Sequence, residues 1–396
     1  MLVVAVCDAQ DHCDQDTNSL SMRVNPDCPS DMDCSRINVP PKASRRTNLV
    51  YVRSQRCETA VTHSMLSTIG LPSVLFAKSE NNTELRVRDW SQLMTDGWLE
   101  MAFDPAVRVW DDADINRSED PHLYRFIDPD DQADITKASR IQAINLSHVN
   151  WLAARINQTN DRVTIEVCTN DEVPNTNVQL FGNGTLCIKM SVFSRDGRDE
   201  ELPRLLHTAQ SVQLDIRLDG LSLNEFGDKT RFAIEMMFIS SITSDIHKQN
   251  TFSADDKYTP WIFETVEVTY PYKRAYATWK PVSYQRKKKE RAVVTRTTSG
   301  DVMQPMTTEQ RSGILFSYFN GIWKDKPKYG INLTIGHSND GHYASSMYAA
   351  WSLSLGIGHP PTAPQTMTLL HVLFVVVPIL ALVSCIVAGV VFKYVC

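Results

Sequence analysis

A chain of 396 residues, 42% hydrophobic and 22% charged with a formal net charge of −6, has ample apolar material for one large β-domain or two smaller ones. So mild a charge balance excludes the strong positive field that nucleic-acid binding or adhesion to an anionic membrane surface requires. Seven cysteines precede the apolar C-terminal run, with no Cys-x-x-Cys and no histidine spacing that favours zinc.

The chain opens Met1-Leu2-Val3-Val4-Ala5-Val6-Cys7, an apolar run shorter than the roughly 7 to 15 residues of a secretory signal. Residues 1–20 are therefore read as a vestigial or truncated signal region. The stretch to about Ser44, rich in cysteine, proline and acids, predicts an irregular, disulfide-tethered segment. Its cysteines and Cys57 make five, which cannot all pair among themselves.

Short alternating runs then dominate, at Leu49–Arg53, Ser73–Ala77, Glu84–Arg88, Val163–Cys168, Leu186–Val192, Val212–Leu218, Phe232–Phe238, Trp261–Thr269, Ala275–Tyr284, Ile314–Phe319, Ile331–Gly336 and Tyr348–Leu355. Val212-Gln213-Leu214-Asp215-Ile216-Arg217-Leu218 alternates strictly before Asp219-Gly220, so one face meets a core and the other water. Many short strands broken by Asn, Asp, Gly and Pro predict an all-β domain of β-sandwich type, with two packed sandwiches as a variant. Trp90–Met101 predicts one or two helical turns, and Gln285–Arg311, with its Arg286-Lys287-Lys288-Lys289 run, predicts an exposed loop.

Six acceptor tripeptides Asn-x-Ser/Thr fall at Asn81, Asn116, Asn145, Asn157, Asn183 and Asn332, none with proline in the middle. Chance would supply about three. Cys168 and Cys187 lie on the polar faces of two consecutive predicted strands, where a bridge forms if the strands pair in register; two free surface thiols would read the same.

The sequence holds no Gly-x-Ser-x-Gly elbow, His-Glu-x-x-His helix, P-loop or Gly-x-Gly-x-x-Gly turn. Asp111-Asp112-Ala113-Asp114 and Asp128-Pro129-Asp130-Asp131 lack the glycine and final glutamate of a calcium loop and are read as surface loops. His207, before the Val212 strand, is tied to no nucleophile or carboxylate and is read as structural. No catalytic, cofactor-binding or metal residue is assigned.

Leu369–Phe392 is an apolar run without Asp, Glu, Lys or Arg. As a helix it reaches roughly 36 Å, enough to cross a hydrocarbon core about 30 Å thick. Residues 367–392 are thus read as a transmembrane helix, 21–362 as the folded domain and 393–396 as a tail. Ala381, Cys385 and Gly389, with Ser384 and Ala388 beside them, make a stripe of small side chains on which another helix can pack, although any Val- and Ala-rich span contains such stripes.

From about residue 180 onward the chain resembles the glycosylated lysosomal membrane protein family. The matching stretches are Phe181-Gly182-Asn183-Gly184-Thr185, Val192-Phe193-Ser194-Arg195, Pro203-Arg204-Leu205-Leu206-His207-Thr208-Ala209, Asp255-Asp256-Lys257-Tyr258-Thr259-Pro260, Trp279-Lys280-Pro281-Val282-Ser283-Tyr284, Asn332-Leu333-Thr334 and Trp351-Ser352-Leu353-Ser354-Leu355-Gly356-Ile357-Gly358-His359-Pro360-Pro361. Between residues 21 and 180 the likeness is looser, resting on Tyr51-Val52 and Trp90-Ser91.

The resemblance implies a single-pass type I protein of the lysosomal membrane, with a lumenal N-terminus, a β-rich domain bearing N-linked glycans and a short cytosolic tail. It also implies a non-enzymatic accessory subunit that shields a lysosomal major facilitator superfamily transporter of small peptides from lumenal proteases. Lys393-Tyr394-Val395-Cys396 departs from the family's tyrosine-based sorting signal, which leaves delivery to the partner. Two readings from other classes stand beside this one: a membrane-tethered lysosomal hydrolase, and a tail-anchored cytosolic protein.

Overall fold

The computed structural model describes residues 2–4, 18–39, 43–46, 48–56, 60–80, 83–91, 100–104, 122–169, 181–239, 245–252, 262–270, 273–285, 294–300, 328–361 and 376–386. The first strands are β1 (Leu2–Val4), β2 (Ser19–Val24), β3 (Arg36–Val39), β4 (Ala43–Arg46), β5 (Leu49–Arg56), β6 (Ala60–Ser67), β7 (Ser73–Glu80), β8 (Glu84–Asp89) and β9 (Glu100–Asp104). Next come β10 (His122–Ile127), β11 (Arg140–Asn145), β12 (Arg155–Gln158), β13 (Arg162–Cys168), β14 (Thr185–Phe193), β15 (Gly197–Arg198), β16 (Leu206–His207), β17 (Ser211–Asp219) and β18 (Thr230–Ile239). The last are β19 (Asp245–Phe252), β20 (Ile262–Tyr270), β21 (Lys273–Trp279), β22 (Val282–Tyr284), β23 (Val294–Ser299), β24 (Lys328–Ile335) and β25 (Tyr348–Ile357).

A five-stranded sheet runs β1-β7-β6-β5-β2, and a fourteen-stranded one runs β11-β10-β18-β24-β23-β22-β25-β17-β14-β13-β12, with β21, β20 and β19 branching from β25. Among the described strands only the β1–β7 pairing is parallel. The rest is antiparallel, as expected for strands joined by short turns.

β17 organises the long sheet because its neighbours pair with it in a common register. On one face Val192, Val212 and Leu355 stand side by side, then Met190, Leu214 and Leu353, then Ile188, Ile216 and Trp351, then Leu186, Leu218 and Ala349. These apolar rows join Leu123, Ile234 and Met236 of the other half of the long sheet, and Leu66 and Val74 of the five-stranded sheet, in one buried cluster. The three surfaces meet around a small apolar crevice of about 50 Å³. Trp279 and Trp351 pack edge to face with centroids 5.9 Å apart, geometry that adds to the area term of burying two large rings.

The alternating runs at 49–53, 73–77, 84–88, 163–168, 186–192, 212–218, 232–238, 331–336 and 348–355 form strands close to their expected bounds. Ala275–Tyr284 is two strands, because Pro281 lies between β21 and β22 and cannot donate to a ladder. The exposed loop expected at 285–311 contains β23, whose Thr297, Thr298 and Ser299 pair with β24. The irregular N-terminal stretch contains β2 and β3, and Glu100 and Met101, expected in a helical turn, begin β9. Ile314–Phe319 lies outside the described residues.

Of the expected span at 367–392 the structure describes 376–386, an exposed helix that includes Pro378. Eleven helical residues reach only about 17 Å, and among the described residues no helix is long and apolar enough to cross a membrane.

Gly184 closes the turn into β14, where a Cβ would overlap the Gly220 carbonyl and the Leu221 nitrogen. Gly184→Ala keeps the Asn183 acceptor tripeptide yet forces the backbone apart. It is expected to lower stability by about 2–3 kcal/mol, read as a fall in the thermal midpoint with glycosylation unchanged.

Candidate functional site

Four acceptor asparagines are described, and the sheet topology sorts them. Asn145 ends β11 and is half-buried; its Oδ1 accepts from the Ser147 backbone N–H at 2.9 Å and from the Ser147 hydroxyl at 2.6 Å. Asn157 is exposed on β12, and Asn183 is exposed in the turn closed by the Gly184 N–H on the Phe181 carbonyl. Asn332 sits in mid-strand on β24, flanked by β18 and β23, with a buried Oδ1 that has no hydrogen-bond partner. Asn81 and Asn116 lie outside the described residues.

The outward face of β12, β13, β14 and β17 floors an open groove of about 310 Å³. Register places Arg155 opposite Glu166, Glu166 opposite Lys189, and Lys189 opposite Asp215, so charges alternate across four strands. The contacts are close: Lys189 Nζ lies 2.8 Å from Asp215 and 2.7 Å from Glu201, and the Arg217 guanidinium lies 2.9 Å from Glu166. Burial raises the Asp215 carboxyl above the ordinary range even though Lys189 pulls it down. Each of these groove charges lies within 4 Å of an opposite charge, on a paired strand or, for Lys189, also on the Glu201 loop.

At one end of this face Cys168 and Cys187 stand directly opposite each other and form a disulfide. A second bridge joins Cys28 and Cys34. Cys7, Cys13 and Cys57 lie outside the described residues. Of the small-residue stripe, Ala381, Ser384 and Cys385 lie on the exposed C-terminal helix, where the Ser384 hydroxyl donates to the Leu380 carbonyl and the Cys385 thiol is free. Ala388 and Gly389 are outside the described residues.

His207 is only 7% exposed and stacks on Phe193 with centroids 3.5 Å apart. Burial pushes its imidazole down to about 4, so at pH 5 it is a neutral packing group. A second histidine, not singled out by sequence, is more deeply placed. His63 Nδ1 lies 2.7 Å from the Tyr51 hydroxyl and its Nε2 lies 2.7 Å from the Ser79 hydroxyl. The order serine–histidine–third group resembles a nucleophile relay, but Ser79 is 5%, His63 0% and Tyr51 1% exposed. A substrate has no route to the hydroxyl. Burial pushes His63 down to about 3 and Tyr51 up to about 12.

The surface-loop reading of Asp128-Pro129-Asp130-Asp131 is corrected at Asp128, which is 1% exposed. Arg231, itself 2% exposed on β18, directs its Nε to Asp128 at 2.7 Å and one terminal nitrogen to Asp131 and to Asp340. His342 Nε2 lies 2.9 Å from the Asp128 carbonyl oxygen, and Gly336 leaves the space that the guanidinium fills. The arginine stands where a cation would, between the loop after β10 and the loop after β24. Burial alone would raise the Asp128 carboxyl, yet the N–H groups of Ala133 and Gln132 and the guanidinium outweigh it and hold the carboxyl below the ordinary range. Asp111–Asp114 lies outside the described residues. Sequence periodicity could place Arg231 on the outward face of its strand, but nothing local could pair it with loops about 100 residues away in either direction.

These groups set a sign for the response to acid. Asp128 has a depressed folded-state pKa, so its contribution is complete above the unfolded value near 3.9 and is lost only below it. His63 and His207 are also depressed, and their contribution is complete above about 6.5 and is lost as pH falls toward their folded values. Moving from pH 7 to pH 5 is expected to cost about 2 kcal/mol per buried imidazole, and His207→Phe, which keeps the stack, removes about half of that loss in urea titrations at the two pH values. Arg231→Met strands three carboxylates around an apolar chain and is expected to cost about 3–5 kcal/mol at pH 7, measured in the same titration.

With this geometry in view, comparison with known proteins gives one family. The sequence model of the family described as glycosylated lysosomal membrane protein matches residues 48–394. The Danio rerio protein of that name is 26% identical over 76% of this chain and 73% of its own length. Glycosylated lysosomal membrane protein A of Xenopus laevis is 25% identical over 81% of this chain and 80% of its own length, and the Homo sapiens protein is 27% identical over 55% and 52%. The chain belongs to the glycosylated lysosomal membrane protein family.

Proposed function

We propose that this chain is a glycoprotein of the lysosomal membrane whose folded bulk faces the lumen. In this reading it acts without catalysis, as an accessory subunit that binds a lysosomal major facilitator superfamily transporter of small peptides and shields it from lumenal proteolysis. The observation that carries the reading is family membership over residues 48–394, whose relatives' names state glycosylation and a lysosomal membrane. Residues 367–392 are the proposed single span and 393–396 the proposed cytosolic tail, making the protein type I.

Several features support this. The Cys28–Cys34 and Cys168–Cys187 bridges suit an oxidising compartment, since cytosolic thiols stay reduced. Asn157 and Asn183 are exposed where an attached glycan meets solvent. The Ser79–His63–Tyr51 chain is sealed and His207 is stacked, so neither offers a hydrolase centre. Most of the described backbone lies in antiparallel ladders, and a protease does not bind a strand already held in a sheet, which suits a protein whose task is to cover another.

Removing N-glycans from native material is expected to increase gel mobility; an unchanged band would support a cytosolic bulk and end this reading. Loss of the gene is expected to shorten the half-life of the partner transporter several-fold with its transcript unchanged, as read by pulse-chase, whereas an unchanged half-life would refute the protective role.

A further inference from the structure

The long sheet has three open edges among the described strands: β11 pairs only with β10, β12 only with β13, and β19 only with β20. An unpaired edge presents free N–H and C=O groups to any other strand, and proteins blunt such edges with short strands, charged side chains (lysine above all), proline, bulges or a cover. β19 carries His247, Lys248, Gln249 and Asn250, with Lys248 Nζ anchored on the Ser299 carbonyl and hydroxyl. β11 reads Arg140-Ile141-Gln142-Ala143-Ile144-Asn145, and Ile141 is 50% exposed. β12 reads Arg155-Ile156-Asn157-Gln158. Neither has lysine or proline; each has one charged residue, the arginine at its start, β12 is only four residues long, and each carries an acceptor asparagine.

We propose that the N-linked glycans at Asn145 and Asn157 are edge caps, which prevent the two termini of the long sheet from pairing with a second copy of this chain. The inference rests on the lumenal reading above. A strand must come within about 4.8 Å to add to a sheet, and a branched oligosaccharide rooted on the edge strand itself occupies that approach. Asn157 is exposed near the end of its four-residue strand, so its sugar overhangs the whole edge. Asn145 is fixed at the end of β11 by the Ser147 contacts to its Oδ1, four residues from the exposed Ile141. Asn183, in a turn, has no edge to guard, and serves as the control.

The test uses the full chain expressed in glycosylating cells and purified in detergent, with site occupancy read by mass spectrometry of glycopeptides. Wild type and Asn183→Gln are expected to share one self-association profile in light-scattering chromatography. The Asn145→Gln/Asn157→Gln double variant is expected to associate at a concentration lower by on the order of tenfold, with residues 140–145 and 155–158 gaining amide-exchange protection in the associated species. Adding Ile141→Lys to Asn145→Gln is expected to restore the wild-type profile, which a folding defect would not allow. A double variant that associates no more than wild type, or Asn145 and Asn157 found bare while other sites carry sugar, overturns the inference alone. Absence of sugar at every site overturns the lumenal reading as well.

Discussion

The common register of β14, β17 and β25 is the constraint on which the rest of this structure depends. Because side chains alternate with a period of two, one register sends Val212, Leu214, Ile216 and Leu218 into the core with their neighbours on both sides. The same register sends Lys189 and Asp215 outward, opposite each other. The β13–β14 pairing continues it one strand further along and sets Cys168 opposite Cys187. A slip of one residue between β14 and β17 would turn an apolar row to solvent and set Lys189 opposite Leu214 or Ile216 instead of Asp215. Core and ion ladder are two consequences of one alignment, and the disulfide fixes the strand beside it.

The second organising contact lies at the other half of the sheet. Arg231 gathers Asp128, Asp131 and Asp340, fastening the loops that follow the two strands flanking its own, β10 and β24. The desolvation of such a cluster makes it a poor source of net stability but a strict selector of loop geometry. Its Asp128 carboxyl is held below the ordinary range, while two histidines kept neutral by burial oppose folding in mild acid. The pH response of these groups therefore lies inside the fold and away from the groove.

The strands were legible where their side chains alternate against a single core. β17 was readable to within one residue at each end because its apolar and polar positions keep strict time, and β18 to within two, although Ala233 and Met237 break its alternation. β6 was not, since His63, Ser64 and Ser67 are buried among apolar residues and a polar residue in sequence reads as exposed. β23 failed similarly: Thr295 and Thr297 are buried and the run lacks aliphatic alternation after Val294. Neighbouring strands cover these hydroxyls, and partners 12 and 16 positions away bond the His63 imidazole, and a local pattern carries no trace of either.

By itself the sequence determined the all-β character, the apolar C-terminal run, the acceptor asparagines and the family, because each is written in composition, period or motif over a few consecutive residues. Only the tertiary structure decided which asparagine stands on an open edge and which inside a sheet, that Asp128 is a buried partner of Arg231, and that Ser79, His63 and Tyr51 form a closed chain. Those facts depend on strand order and on contacts between residues about 12 to 110 positions apart, and strand order is set by the burial of all the apolar faces at once, a property of the whole chain that no window of it contains.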